Sequence, residues 1–435
     1  MQSVWGWSNC IAQILCRTPC YHKALAILTA REITAVIGRL IIGALTLSVF
    51  AAQQSALAAP YEDADWTRSA GNLNISLYAF RDQNRNGVYD VGDLPMAGVV
   101  VELGKPDGSI VQTSSNINGY ANFKMAMNSD KHPVTEAGGL YQFEVLPPPG
   151  WKVSSGNTVQ ESRFLAKKGS VAGIVAEHAP NWVGLVQDLE IRGRVVGPGE
   201  APLPGDVAVT LVAADGETRA LDLAANGGFS SAVDAGDYQL EFSSASLNWT
   251  LQRDIHMAND PVELVTIEAG APHPEPQPKA VLETFDWLNR SIIEKIPNKH
   301  DGLNWDYLLA VHNQQYNGPG YVNGLTSGHA VAYNSSGHPV TISALEGEVF
   351  EFVGGYFSVA WNNAQGEILD VTAWRGDQRV AIHELKLSYL GPVWLDADLR
   401  GIDKLTLSSR HYWQFVADDL RFRVSGSALT GSKAD

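Results

Sequence analysis

Past residue 20 the chain contains no cysteine: Cys10, Cys16 and Cys20 are the only three in 435 residues. The remaining sequence therefore forms no disulfide, carries no thiol nucleophile and offers no cysteine-based zinc site. Positive charge is also scarce, with 31 Lys and Arg against 47 Asp and Glu, a formal net charge of −16. A field of that sign disfavours nucleic acid and anionic lipid surfaces as partners, and no basic patch with interleaved aromatics is present. Catalytic signatures are missing too. There is no G-x-S-x-G elbow, no H-E-x-x-H helix and no phosphate loop. His383-Glu384 and Asp418-Asp419 lie in strand-like stretches, where neighbouring side chains face opposite ways and cannot form a local acid/base pair. No catalytic residue is assigned, and a non-enzyme is expected. A glycosidase assembled from carboxylates on distant strands is the remaining catalytic alternative.

The three cysteines fall in an N-terminal stretch unlike the rest. Arg17, Lys23, Arg31 and Arg39 stand there against a single acid, Glu32. An apolar run at 40–52 follows, then S-A-L-A-A-P at 55–60. A basic flank, a short apolar core and small residues describe an export signal over 1–59, cleaved near Ala58 or Ala59. An uncleaved anchor is the alternative, but the run is shorter than the roughly 20 residues a spanning helix needs. The expected location is secreted or at the cell surface, with the periplasm as the alternative, and no stable membrane anchor after cleavage.

The most informative stretch present is D-Q-N-R-N-G-V-Y-D-V-G-D at 82–93. Side-chain oxygens fall at loop positions 1, 3, 5, 9 and 12, with glycine at 6, the spacing by which a short loop wraps a hard divalent cation. Asp82, Asn84 and Asn86 supply the first ligands, Gly87 the turn, the Val88 carbonyl the seventh position, and Asp90 and Asp93 close the shell. Calcium tolerates such an irregular all-oxygen site better than magnesium, so structural calcium is the expected cofactor. Position 12 departs from the usual glutamate: Asp93 is shorter and puts bidentate closure in question. The same residues without an ion would form an acidic hairpin turn. The flanks, 74–80 and 97–103, are short and rich in β-branched residues, which makes this a loop between strands and not between helices.

Y-A-F-R-D at 78–82, the loop itself, D-L-P-M-A-G-V-V-V at 93–101, N-G-Y-A-N-F at 118–123 and L-Y-Q-F-E-V-L-P-P-P-G-W at 140–151 follow one another in an order that resembles the B-type domains of serine-aspartate-repeat adhesins (SdrD B-like). That resemblance spans about 71–180. It implies an immunoglobulin-like, calcium-binding spacer sandwich over 60–182, with Asp82, Asn84, Asn86, Asp90 and Asp93 as ligands and no catalysis.

Strand-like pieces at 189–196, 207–213 and 237–242 alternate with G-P-G, A-D-G and N-G-G turn signals, the rhythm of a second small sandwich over 183–270. Its residue order resembles the carboxypeptidase-regulatory-like (transthyretin-type) domains. A-P-H-P-E-P-Q-P-K at 271–279 reads as a semi-rigid polyproline linker over 271–280. The segment 281–424 is richest in aromatics and alternates strongly over 371–387, as a β-sandwich or jelly roll would. F-D at 285–286, G-L-N-W at 302–305, S-G-H-A-V-A-Y-N at 327–334 and D-D-L-R-F at 418–422 give it a resemblance to the lectin-like domains of PEP-CTERM-type exported proteins. A polar tail occupies 425–435. The expected fold class is all-β: two immunoglobulin-like or transthyretin-like sandwiches followed by a jelly-roll-like one.

The lectin-like resemblance implies two constellations. Glu283 or Asp286, with Asp418 or Asp419, would hold a second calcium where first and last strands meet, or else form a solvated acidic pair. Trp305, between Asn304 and Asp306, and Trp413 are the candidates for stacking on a sugar, since pyranoses offer C–H faces to aromatic rings. Alternation places most other rings, including Tyr356, Trp361, Trp374 and Trp394, in the core. The expected partner is an extracellular glycan, with a surface protein as the alternative. The whole reads as an exported, non-catalytic surface or matrix protein presenting a carbohydrate-binding module, or as a purely structural adhesin.

Overall fold

The computed structural model describes residues 74–124, 138–155, 157–166, 174–177, 180, 182–288 and 292–425. The chain divides into two compact units, Met1–Glu62 and Asp63–Asp435, and every described residue lies in the second. The leader and polar tail read from the sequence fall outside the described residues. Among those residues, no helix is long and apolar enough to cross a membrane.

The fold is all-β, three sandwiches in succession. In the first, two five-stranded sheets face each other. Alternation builds its core: along the Gly139–Leu146 strand, Tyr141, Phe143 and Val145 point inward while their neighbours are exposed. They meet Leu77 and Ala79 of the Asn74–Arg81 strand, with Val101, Phe123 and Phe164. The Val183–Gln187 strand pairs parallel with Asn74–Arg81 and antiparallel with Trp151–Val153. This strand, which the sequence reading put at the start of the second unit, hydrogen-bonds into the first.

The second sandwich sets the four-stranded sheet from Ala208–Ala213 to Trp249–Met257 over the Glu190–Val196 strand and its neighbours, around Ile191, Leu211, Leu240 and Phe242. It does not end at a free edge. Val262–Leu264 pairs parallel with Glu190–Val196 on one side and with Val393–Ile402 on the other, so one eleven-stranded sheet runs through the second and third sandwiches. Trp394, opposite Val262, packs against the second core although it belongs to the third. Arg253 adds ion pairs to Asp396 and Asp398 across the same junction. The proline-rich segment is also tied down: Arg400 Nη1 donates to Pro274 O (2.8 Å), and His273 lies 3.1 Å from Asp398.

The third sandwich packs the rest of that sheet against a five-stranded one, Leu303–Asp306 through Gln378–Lys386. Phe350, Phe352, Phe357, Phe415 and Phe422 fill its interior. The short Pro319–Asn323 helix is wholly buried. Gly320 is required there, because a Cβ would lie 1.8 Å from Val359 O.

That helix joins the third sandwich to the first. Asn323, fully buried, accepts from Ala97 N (2.9 Å) and donates to Ala97 O (2.8 Å) and Tyr389 O (3.0 Å). Replacing it leaves buried backbone groups on both sides unpaired. Asn323→Ala is expected to destabilise the chain by roughly 2–4 kcal/mol, and in calorimetry to split off an earlier transition for the first sandwich. A single unshifted transition would show that this amide does not join the two.

Candidate metal centre

The cation loop begins where the Asn74–Arg81 strand stops. Asp82 is buried, and its two carboxylate oxygens accept from Asn86 N (3.1 Å) and Gly87 N (2.7 Å). Asp93 closes the ring by accepting from Gln83 N and Asp90 N, each at 2.9 Å. Asp90 receives the side-chain amides of Asn84 (2.9 Å) and Asn86 (2.8 Å), and Val88, exposed, donates its N–H to Asn86 Oδ1 (2.7 Å). Three residues adopt positive φ: Arg85 (φ 56°), Gly87 (φ 76°) and Gly92 (φ 108°). At Gly87 a side chain is excluded, since its Cβ would lie 2.8 Å from Ser154 O.

The loop thus gathers Asp82, Asn84, Asn86, Asp90 and Asp93 into one network. Among the described residues no basic side chain forms an ion pair with these three carboxylates, and the Arg85 guanidinium donates elsewhere, to Gln187 O (3.0 Å). A half-turn of each Asn amide puts its oxygen where its nitrogen lies. Three carboxylates and two amide oxygens without a protein counter-charge suit a hard divalent cation. Calcium there would supply the charge that balances them.

One residue before Asp82, the same strand end does a second job. The Arg81 guanidinium is buried and donates to the carbonyls of Asn323 (2.7 Å) and Leu325 in the third sandwich. Around it lie buried acids. Burial pushes the Asp260 carboxyl up to about 6, against the pull of Arg81 and Arg85. Burial, reinforced by Asp419, pushes Asp418 up to about 8, although Thr326 N (2.7 Å), Ser327 N (3.2 Å) and the Thr326 hydroxyl all donate to it. Burial likewise raises the Tyr356 hydroxyl, which faces Asp260, Asp419 and Asp418. Asn259 of the second sandwich reaches Gln83 of the loop (3.2 Å). Three sandwiches converge on one charged junction. Sequence reasoning missed Arg81, Asp260 and Asn323, whose partners are remote along the chain.

Of the four acids named for a second calcium, Glu283 stands in a network of its own, whereas Asp286, Asp418 and Asp419 all hold the segment 326–330. Glu283, buried, accepts from Phe285 N (2.6 Å) and Trp287 Nε1 (3.0 Å) and meets His300 Nε2. With Asp301 these form the one group of three His, Cys, Asp or Glu side chains among the described residues whose ligand atoms all lie within 4.8 Å of one another; the carboxylates of Asp82, Asp90 and Asp93 stand farther apart and would have to close on an ion together with the two Asn side chains. The hydrogen bond to Glu283 raises the His300 imidazole. Asp286 instead accepts from His329 N (2.8 Å) and Ala330 N (3.1 Å). Asp418 and Asp419 hold Thr326 and Ser327.

The aromatic expectation needs correction at Trp305. Its indole is fully buried, edge-on to Phe422 (5.5 Å), and donates to His300 O (3.1 Å), so it presents no face to a sugar. Its neighbours Asn304 and Asp306 are half-buried and exposed, as strand alternation requires. Trp413 is partly exposed beside the more exposed Tyr412. A cleft of about 930 Å³ lies between the second and third sandwiches. Three of its groups are paired with one another: His383 Nε2 lies 3.0 Å from Glu263, which also meets Arg192 at 2.5 Å. Burial alone would raise Glu263, but His383 and Arg192 hold its carboxyl below the usual range.

No family model and no curated protein sequence matches the chain. Among solved structures, the shaft pilin SpaA of Lactobacillus rhamnosus GG is 13% identical over 46% of this chain and 99% of its own, with a TM-score of 0.21. The TIE protein of Bacillus anthracis is 10% identical over 76% and 51% (TM-score 0.18). A DUF3823 family protein from Bacteroides ovatus is 12% identical over 54% and 98% (TM-score 0.16). Likenesses this low carry no functional argument, and the architecture rests on the strand pairing above.

Asp260 and Asp418 bind protons more tightly folded than unfolded, so their ionisation opposes folding. Their contribution to stability is fully present below the ordinary carboxylate range and is lost as pH rises through about 6 and then about 8. Asp418→Asn is expected to remove most of the drop in melting temperature over the upper part of that window. A wild-type melting temperature that stays level or climbs there would contradict the assignment.

Proposed function

We propose that this protein is an exported, non-catalytic structural component of the cell surface or extracellular matrix, in which calcium stiffens the junction of three sandwiches. One observation carries the reading: adjacent residues of one strand end serve both tasks, Asp82 in the cation loop and Arg81 in the buried junction. A cation that orders the loop would hold the strand end, and with it the guanidinium, in place. Asp82, Asn84, Asn86, Asp90 and Asp93, with the Val88 carbonyl, would be the ligands. The second sandwich, joined through a shared sheet, extends the same rigid body.

Calorimetry of residues 60–435 tests this. Calcium at a hundredfold excess over its dissociation constant should stabilise the chain by about 2.7 kcal/mol, chelator should reverse the effect, and Asp93→Ala should abolish it. A melting temperature indifferent to millimolar calcium would remove the proposal.

Glycan recognition by the third sandwich is the second reading, supported by an exposed aromatic edge. Tyr307 and Tyr412 are both exposed in left-handed backbone (φ 63° and 60°), a costly conformation for tyrosine. Tyr307 lies 5.0 Å from His338, and the turn at Gly337 packs on the Tyr412 backbone. Trp413→Ala in the secreted chain should then reduce binding on a glycan array about tenfold; equal signals from both chains would exclude this edge.

A further inference from the structure

The first sandwich carries an aromatic cleft that neither the cation loop's role nor the third sandwich accounts for. Its volume is about 420 Å³, within the roughly 300–1,000 Å³ usual for small-ligand sites. Tyr78 of the first strand forms its floor. Tyr89 from the cation loop, Tyr120 from the Tyr120–Lys124 strand and Trp182 form its walls, and the amides of Asn118 and Gln314 line it as well. Gln314 comes from the third sandwich, so the cleft is completed by the same docking that Arg81 and Asn323 secure.

The rings are exposed where rings are normally covered. Tyr89 is 43% accessible, Tyr120 42% and Trp182 49%. They are nevertheless fixed. Tyr78 lies 5.1 Å from Tyr89 and 5.0 Å from Tyr120, and Tyr89 lies 6.0 Å from Trp182. Tyr89 is wedged from behind by Phe80 at 5.1 Å. Gly119 is what lets the turn close over the floor, because a Cβ there would lie 2.7 Å from the Tyr78 ring. Surface aromatics held this firmly lose little side-chain entropy when a ligand covers them.

We infer that this cleft binds a neutral oligosaccharide, two or three pyranose units lying against Tyr89, Tyr120 and Trp182. Three features select that chemistry. None of the described residues lining the cleft is charged, so a charged ligand would find no counter-ion. The exposed rings of Tyr89 and Trp182, 6.0 Å apart, suit the C–H faces of successive sugars in an extended chain, and Tyr120 adds a third exposed ring beside Tyr78. The polar groups are phenols and amides, which both donate and accept. Sugar hydroxyls do the same. A proline-rich peptide, the other common occupant of aromatic grooves, offers mainly carbonyl acceptors and matches only the donor half of such groups. The site goes beyond the structural reading above: Tyr78, Tyr120 and Trp182 lie outside the loop, and Tyr89 alone belongs to it.

The test uses residues 60–435 and tryptophan fluorescence titration with cellohexaose, chitohexaose, xylohexaose, mannohexaose and maltohexaose, each in calcium and in chelator. The expected result is saturable binding of at least one sugar. Trp182→Ala and Tyr120→Ala should each weaken it at least tenfold at an unchanged melting temperature, and Trp413→Ala should leave it intact. Because Trp182 reports as well as binds, the affinity of its variant is read by calorimetry. No binding of any hexasaccharide in either condition would overturn the inference, as would binding that survives both substitutions. So would binding of the peptide A-P-H-P-E-P-Q-P-K through Trp182 where no sugar binds.

Discussion

The buried Arg81 guanidinium is the contact on which the arrangement of the described residues depends. A cation withdrawn from water must be repaid by hydrogen bonds and opposite charge, or the burial costs several kcal/mol. Arg81 finds carbonyl oxygens of the Asn323 helix and its following turn, and it lies within electrostatic reach of Asp260 and Asp418. Burial lowers its guanidinium while both acids pull it back up. Separating the first sandwich from the third would return these groups to water, so the hydrogen bonds and charges that balance Arg81 exist only while the two are docked.

The acids at this junction outnumber the comfortable pairings. Asp418 and Asp419 are adjacent, and Tyr356 faces both. Asp419 lies in left-handed backbone (φ 48°), a bulge that turns both consecutive carboxylates toward Thr326 and Ser327. Strand alternation had suggested that these two side chains face opposite ways. The bulge is why they do not, and it is invisible in a pattern of residue types.

What could be read from sequence is what is local. The cation loop's donors sit within twelve residues of one another, and the structure gathers those donors into one network. The sandwiches announce themselves through alternation, as in Tyr141, Phe143 and Val145. Arg81 could not be read that way, because its partner Asn323 is 242 residues distant. Glu283 was recognised as a ligand type, but its actual neighbour His300 lies in a turn with no periodic signal. Trp305 departs from its sequence reading for a local reason: Asn304 and Asp306 are polar because they face away from the core that Trp305 enters.

The shared strand Val262–Leu264 changes what the exposed proline-rich segment means for the molecule's durability. A protease nick between Pro272 and Pro278 would sever the covalent path but free neither half. The strand would still be zipped to both neighbours, and Arg253 would still grip Asp396 and Asp398. Outside a cell, where hydrolases are abundant, such a protein would survive a cut chain as a nicked but intact particle.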